Sequence, residues 1–133
     1  MSREIKFRAW DIPGEFYFPV DTIAFLAGGI KANGPSYGER WATVNKGFED
    51  YCDVTIILEQ YTGLKDKNGV EIHEGDKVRL RHGTHGREHI GIITWSQEGC
   101  KFYAREPKMK QFGWSLDTQF IEVIGSIHDK EKP

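Results

Sequence analysis

The sequence has only two cysteines among its 133 residues, Cys52 and Cys100. Two thiols are too few for a disulfide scaffold, so the core must stabilise the fold. No apolar run reaches the roughly 18–20 residues that a membrane-spanning helix needs. The start of the chain carries charges at Arg3, Glu4 and Lys6, where a signal peptide would be apolar. We therefore expect a cytoplasmic protein with reduced thiols and no membrane partner.

The sequence also lacks an excess of either charge. Lys and Arg total 18, Asp and Glu total 20, and the formal net charge is −2. A protein that binds a phosphate backbone without specificity usually has a strongly basic surface. Only a local cluster of basic residues would therefore support nucleic-acid binding here.

The motifs of the common enzyme classes are missing as well. The sequence contains no Gly-x-Ser-x-Gly motif, no phosphate-binding glycine-rich loop and no dinucleotide fingerprint. Cys100 lies in an alternating segment beside Phe102, which predicts a buried thiol and not a nucleophile. We expect a protein that is not an enzyme and needs no cofactor.

What the N-terminal half does contain is short β patterns rich in aromatic residues. Glu4–Trp10 alternates, and Glu15–Pro19 follows a Pro-Gly turn, which predicts a β-hairpin. Asp21–Ala27 fits either a short helix or a strand. Residues 31–40 are rich in Gly, Pro and Asn and predict an irregular loop. These features predict an N-terminal β-rich subdomain over residues 1–58.

Turn signals and short strands follow one another closely in the second half. Val54–Tyr61 is the strongest strand pattern. Gly63, Gly69 and Gly75 are predicted turn residues, and Asp76 is predicted to accept hydrogen bonds from backbone N–H groups at a turn. The strands after this point, with almost no helical pattern, predict an SH3-like β-barrel over residues 59–133. The fold class is therefore mainly β.

Three histidines lie close together, at His82, His85 and His89, and this spacing raises the possibility of a metal site. If the segment were helical, His85 and His89 would share one face. Two glycines among these histidines, however, favour a loop between strands, and the His-Glu-x-x-His order of zinc hydrolases is absent. The sequence therefore favours a solvated loop.

Basic residues form two rows in the predicted barrel. Lys77, Arg79 and Arg81 alternate on one face of a strand, and Lys101 and Arg105 flank Tyr103 on another. Small barrels bind nucleic acids with basic and aromatic side chains arranged in this way. The alternative is the solvated outer face that any barrel has, and the sequence alone leaves both interpretations open.

Three blocks of sequence carry a family resemblance. They are Arg3–Asp11 at the start, Gln60–Gly69 with Ile72–Asp76 in the middle, and Ile121–Ile127 near the end. In this order they resemble the YopX family, small proteins encoded by phages and prophages. The resemblance implies an SH3-like barrel in the C-terminal part and a homo-oligomer, and it transfers no catalytic residues.

From this resemblance we expect a phage accessory protein that self-associates and acts by binding. Its partner would be a phage component or a host protein. One alternative is a nucleic-acid-binding barrel. Another is a protein that sequesters a small nucleotide or a host factor between subunits, with Gly34–Gly38 as a candidate lid.

Overall fold

The part of the chain that the structure describes consists of β-strands and their connections. The computed structural model describes residues 4–35, 38–43, 54–81, 86–109, 112–116 and 120–129. Over these residues it has no helix of the length and hydropathy that a bilayer crossing requires. The twelve strands are β1 Phe7–Asp11, β2 Phe16–Pro19, β3 Thr22–Leu26, β4 Gly29–Asn33, β5 Arg40–Thr43, β6 Val54–Lys65, β7 Glu71–His73, β8 Asp76–Arg81, β9 Glu88–Ser96, β10 Lys101–Arg105, β11 Gly113–Trp114 and β12 Phe120–Ser126.

The chain divides into two compact units, with the division between Gln60 and Tyr61. In the first unit, six strands lie side by side in the order β2-β1-β6-β5-β4-β3. Their core contains Ala9, Phe18, Ile56 and Leu58, which are almost completely buried. The predicted hairpin of the first two strands is confirmed, because β1 and β2 pair antiparallel.

The second unit contains a five-stranded antiparallel sheet in the order β11-β10-β9-β8-β12. Strand β8 therefore pairs with both the strand that follows it and the last strand of the chain. One face of this sheet is a core built around Val78, Leu80, Ile93 and Ala104. The prediction that Val78 and Leu80 point inward is confirmed, since neither is accessible to solvent.

Two local predictions in the first unit are corrected by the structure. Residues 31–33 belong to strand β4 and not to the predicted loop over 31–40, because Ala32 is buried and β4 pairs with both β3 and β5. Within the segment Asp21–Ala27, residues Thr22–Leu26 form strand β3, so the helical alternative was wrong. The polar–apolar pattern of this segment is too short to distinguish the periodicity of a helix from that of a strand.

Gly63 and Cys100 also differ from their predictions. Gly63 lies inside β6 with a φ of 91°, where the register with β7 shifts, so it occupies a bulge and not a turn. Cys100 is exposed instead of buried, because the turn that joins β9 to β10 extends to this residue. Its φ of 51° belongs to that turn conformation.

The connection between β7 and β8 is held by Asp76. Its carboxylate accepts a hydrogen bond of 2.7 Å from the His73 backbone N–H. Gly75 has a φ of 82°, a left-handed conformation that favours glycine. The Gly75 N–H donates to the carbonyl of Ile93, and the Ile127 N–H donates to the carbonyl of Gly75. This turn therefore links the beginning of β8 to β9 through Ile93, and to the residue after β12 through Ile127.

Asp66, in the turn between β6 and β7, connects that hairpin to β12. Its buried carboxylate accepts hydrogen bonds from the backbone N–H groups of Asn68 at 2.8 Å, Val70 at 2.9 Å and Val123 at 2.9 Å. Burial alone would raise the pKa of Asp66. The three N–H donors and the nearby ammonium of Lys67 outweigh burial and hold the pKa below its ordinary value of 3.8.

We predict that Asp66→Asn destabilises the protein at pH 7 by about 1–3 kcal/mol, because hydrogen bonds to a charged acceptor are lost. A lowered pKa in the folded state gives stability that is present above the unfolded pKa and lost as the pH falls through the folded pKa. Denaturant unfolding should therefore show the difference between wild type and variant shrinking below about pH 4. The control is Asp21→Asn, at an exposed carboxylate. A difference in unfolding free energy between wild type and Asp66→Asn that stays constant from pH 7 to about pH 2 would contradict this role of the ionised carboxylate.

We also predict that Gly91→Ala destabilises the five-stranded sheet by about 1–3 kcal/mol, because it overpacks the core. A Cβ atom at Gly91 would lie 2.8 Å from the Ala104 Cβ. The matched control is Gly28→Ala, whose added Cβ has no neighbour closer than Trp41 Cη2 at 3.6 Å. Equal unfolding midpoints for the two variants would contradict the close approach of β9 and β10.

Candidate functional site

The two basic rows lie on the same face of the five-stranded sheet. Lys77, Arg79 and Arg81 alternate with the core residues Val78 and Leu80 along β8. Successive side chains of a strand point to opposite faces, so these three cations lie opposite the core.

Lys101, Tyr103 and Arg105 alternate in the same way with Phe102 and Ala104 of β10. The second row is therefore also on the face opposite the core.

The register across β9 brings these rows close together. Lys77 pairs with Ile92 on one side, and Arg105 pairs with Ile92 on the other. Neighbouring strands lie about 4.8 Å apart, so the backbone positions of Lys77 and Arg105 are separated by about 10 Å. We call the outer face defined by Lys77, Arg79, Arg81, Lys101, Tyr103 and Arg105 the basic face.

The cations on the basic face have different partners. Arg79 contacts the Glu122 carboxylate at 3.1 Å and the Glu88 carboxylate at 3.8 Å. Glu122 also approaches Lys67 at 3.5 Å. The charge of Arg79 is thus balanced within the sheet, so this residue contributes less to the electric field of the face.

Arg81 is placed by an aromatic side chain. Its guanidinium carbon lies 4.5 Å from the centroid of the Phe120 ring, which is opposite Arg81 in the β8–β12 register. This is a cation–π geometry, which orients the guanidinium.

Lys77, Lys101 and Arg105 differ from Arg79 in their electrostatics. Among the residues that the structure describes, none of the carboxylates forms an ion pair with these three cations. Their charges are available to an anion, and Lys77 and Arg105 flank the same position on β9.

The predicted metal site is only partly described. His82 and His85 lie outside the described residues, so their prediction has no structural counterpart. His89 is in β9, and its ring stacks on Trp114 with centroids 4.5 Å apart and planes at 18°. Within the described part of the chain, no group of three His, Cys, Asp or Glu side chains has the arrangement of a metal site.

A shallow pocket lies beside the end of the second basic row, and sequence patterns did not reveal it. Its volume is about 760 Å³, and Trp95, Lys101, Tyr103 and Trp114 are among the residues that line it. Trp95 is 43% exposed. The only signal in the sequence was the unusual concentration of aromatic residues near Cys100, because strand ends and exposure cannot be read from alternation.

A second pocket, in the first unit, is lined by Asp11, Gly14 and Arg40 among others. The Asp11 carboxylate accepts hydrogen bonds from Arg40 and from the Gly14 backbone N–H, so its oxygens are already engaged. This arrangement stabilises the turn after β1. It provides no chemistry comparable with that of the basic face.

Comparisons with known proteins agree with the family resemblance. No curated protein matches the chain. Among solved structures, the crystal structure of protein EF1440 from Enterococcus faecalis is similar, with 25% identity and a TM-score of 0.57. The match covers 96% of this chain and 95% of that one. The family model described as YopX protein matches residues 6–132. The chain therefore belongs to the YopX family.

Proposed function

We propose that this protein acts by binding and not by catalysis, and that its basic face binds nucleic acid. The observation that carries the proposal is the register of β8, β9 and β10, which places Lys77 and Arg105 on either side of Ile92. Phosphate groups are recognised by arrays of Lys and Arg, and such contacts supply most of the affinity for nucleic acid when sequence is not read. The net charge of −2 is compatible with a local array of cations, because net charge averages over the whole surface.

The architecture that presents the face is, in our proposal, an SH3-like barrel. Strand order supports this assignment, since β8, β9, β10 and β11 pair in succession and the last strand, β12, returns to β8. Small barrels of this kind use one outer surface for nucleic acids.

The proposed setting is a phage or prophage, with the protein acting in the cytoplasm of the bacterial host. Membership of the YopX family supports it, because the resemblance of the three sequence blocks implies such an origin. A host protein or a small nucleotide as the ligand remains the competing proposal, and binding of a mononucleotide without any binding of polymers would favour it.

Self-association is the second part of the proposal, and the edge of the first unit's sheet supports it. Strand β3 is the last in its sheet and pairs only with β4 among the described strands. Phe25, in this edge strand, is 79% exposed, and Leu26 beside it is 50% exposed. An exposed apolar edge strand is a template for pairing with another chain, and a second copy offers the same edge.

We predict that the double variant Lys77→Glu/Arg105→Glu loses nucleic-acid affinity by on the order of tenfold or more at about 100 mM salt, because two phosphate contacts become repulsive. Fluorescence anisotropy with labelled single-stranded and duplex DNA measures the change. The slope of log affinity against log salt should fall in magnitude by roughly 2.

The matched control for this experiment is Lys6→Glu/Lys31→Glu, which makes the same change in net charge on the other unit. Its affinity should stay within about twofold of wild type, since neither lysine belongs to the basic face. Wild-type protein that binds neither DNA at about 50 mM salt would refute the proposed ligand.

We predict that Phe25→Lys converts the oligomer into a monomer at tens of micromolar, because a charged side chain on an edge strand opposes pairing. Native mass spectrometry and light scattering determine the mass. The control is Met109→Lys, at a side chain of similar exposure, 62%, in a loop of the second unit. A wild-type protein that is already monomeric would contradict self-association, and an oligomer that survives Phe25→Lys would exclude this edge.

A further inference from the structure

The indole rings of the five-stranded sheet lie on the face opposite the basic face. Trp95 is the register partner of Phe102, and Trp114 is the register partner of Ala104. Ala104 belongs to the core, and Phe102 and Trp114 pack against that core. Because directly paired residues of neighbouring strands share a face, both indoles are on the core side of the sheet. A ligand on the basic face therefore does not stack on either of them.

Two other rings lie on the same side as the cations, and each has one side occupied. Tyr103 packs on β11, where a Cβ atom at Gly113 would lie 2.6 Å from Tyr103 Cδ2. Phe120 is the register partner of Arg81, whose guanidinium carbon lies 4.5 Å from the centroid of the phenyl ring. Both aromatic side chains are only partly exposed. The basic face is therefore rich in cations and poor in open ring surfaces.

The cations form a diagonal track across β8, β9 and β10. Arg81 pairs with Glu88 at one end of β9, and Lys101 pairs with Ser96 at the other end. The two cations that pair with Ile92 lie midway between these ends. The eight residues from Glu88 to Ser96 span about 27 Å at the rise of a strand. At a rise of about 3.4 Å for each base pair, this length corresponds to about eight base pairs.

A duplex matches such a track better than a single strand does. Its phosphates are held in place by the helix and carry about one charge for each 1.7 Å of axis. A single strand has to be ordered along the track, and in proteins that bind single strands, stacking on aromatic side chains helps to offset that cost. Each phosphate contact also releases more counterions from a duplex than from a single strand.

We propose that the basic face binds the phosphate backbone of double-stranded nucleic acid without reading its sequence. The inference rests on the proposed function and makes it more specific, since it identifies the duplex as the preferred ligand. Lys77, Lys101 and Arg105 contact phosphates, which carry no direct sequence information. Single strands bind to the same face more weakly, through phosphate contacts alone.

The test measures fluorescence anisotropy with three labelled probes of about 20 nucleotides, at salt concentrations from about 50 to 200 mM. Two probes are DNA duplexes of unrelated sequence, and the third is oligothymidylate. Wild type should bind the two duplexes with affinities within about twofold of each other, and at least about fivefold more tightly than oligothymidylate. Three phosphate contacts predict a slope of log affinity against log salt of about −2.7 for the duplexes.

The variants separate the two faces of the sheet. Lys101→Gln should lower the magnitude of the duplex slope by about 0.9, because one phosphate contact is lost. The matched control is Lys65→Gln, at an exposed lysine of β6, outside the five-stranded sheet, and its slope should equal that of wild type. Trp95→Leu removes an indole from the opposite face and should leave affinity for every probe within about twofold of wild type, since no base stacks on this ring. Thermal unfolding checks that each variant retains its fold.

Tighter binding of oligothymidylate than of the duplexes, with a further loss in Trp95→Leu, would overturn the duplex assignment and leave nucleic-acid binding intact. A difference of more than about tenfold between the two duplexes would overturn recognition through the backbone. An unchanged slope in Lys101→Gln would overturn the diagonal track as the contact surface. Binding to none of the three probes would overturn the proposed function itself.

Discussion

The ionised carboxylate of Asp66 is the interaction on which the arrangement of the second unit depends. It satisfies two backbone N–H groups of its own turn and one from Val123 in β12. Strand β12 pairs with β8, and β8 carries the first row of cations. A side chain in a turn thus fixes the strand that sets the position of Lys77. The next turn, at Gly75 and Asp76, joins β7 to β8 and fixes the first residue of β8.

The basic face follows from this framework by strand geometry alone. Once β8, β9 and β10 are in register, alternation assigns Val78 and Ala104 to the core and Lys77 and Arg105 to the opposite face. A slip of one residue in β8 would reverse its faces and bury its cations. Stability and the proposed function therefore share one cause, since the same register closes the core and aligns the cations.

Sequence patterns predicted the strands and the mainly β class because alternation and turn residues are local signals. Both basic rows were visible for the same reason. Their placement on a common face depends on which strands are neighbours, and pairing between distant residues leaves no local signal. Gly63 was mistaken for a turn, because a bulge and a turn require the same left-handed glycine. The role of Asp66 was missed, since its third donor, Val123, lies 57 residues away. Trp95 looked like any strand residue, and its exposure is a property of the assembled sheet.

The central claim is that one face of the second unit binds nucleic acid. The most direct test is a titration of isotopically labelled protein with oligothymidylate, followed by amide and indole chemical shifts in NMR spectra. The account predicts shift changes concentrated on Lys77, Ile92 and Arg105, with the first unit's β1 to β5 unaffected. Shift changes centred on the edge strand β3, or no change at millimolar oligonucleotide, would contradict it.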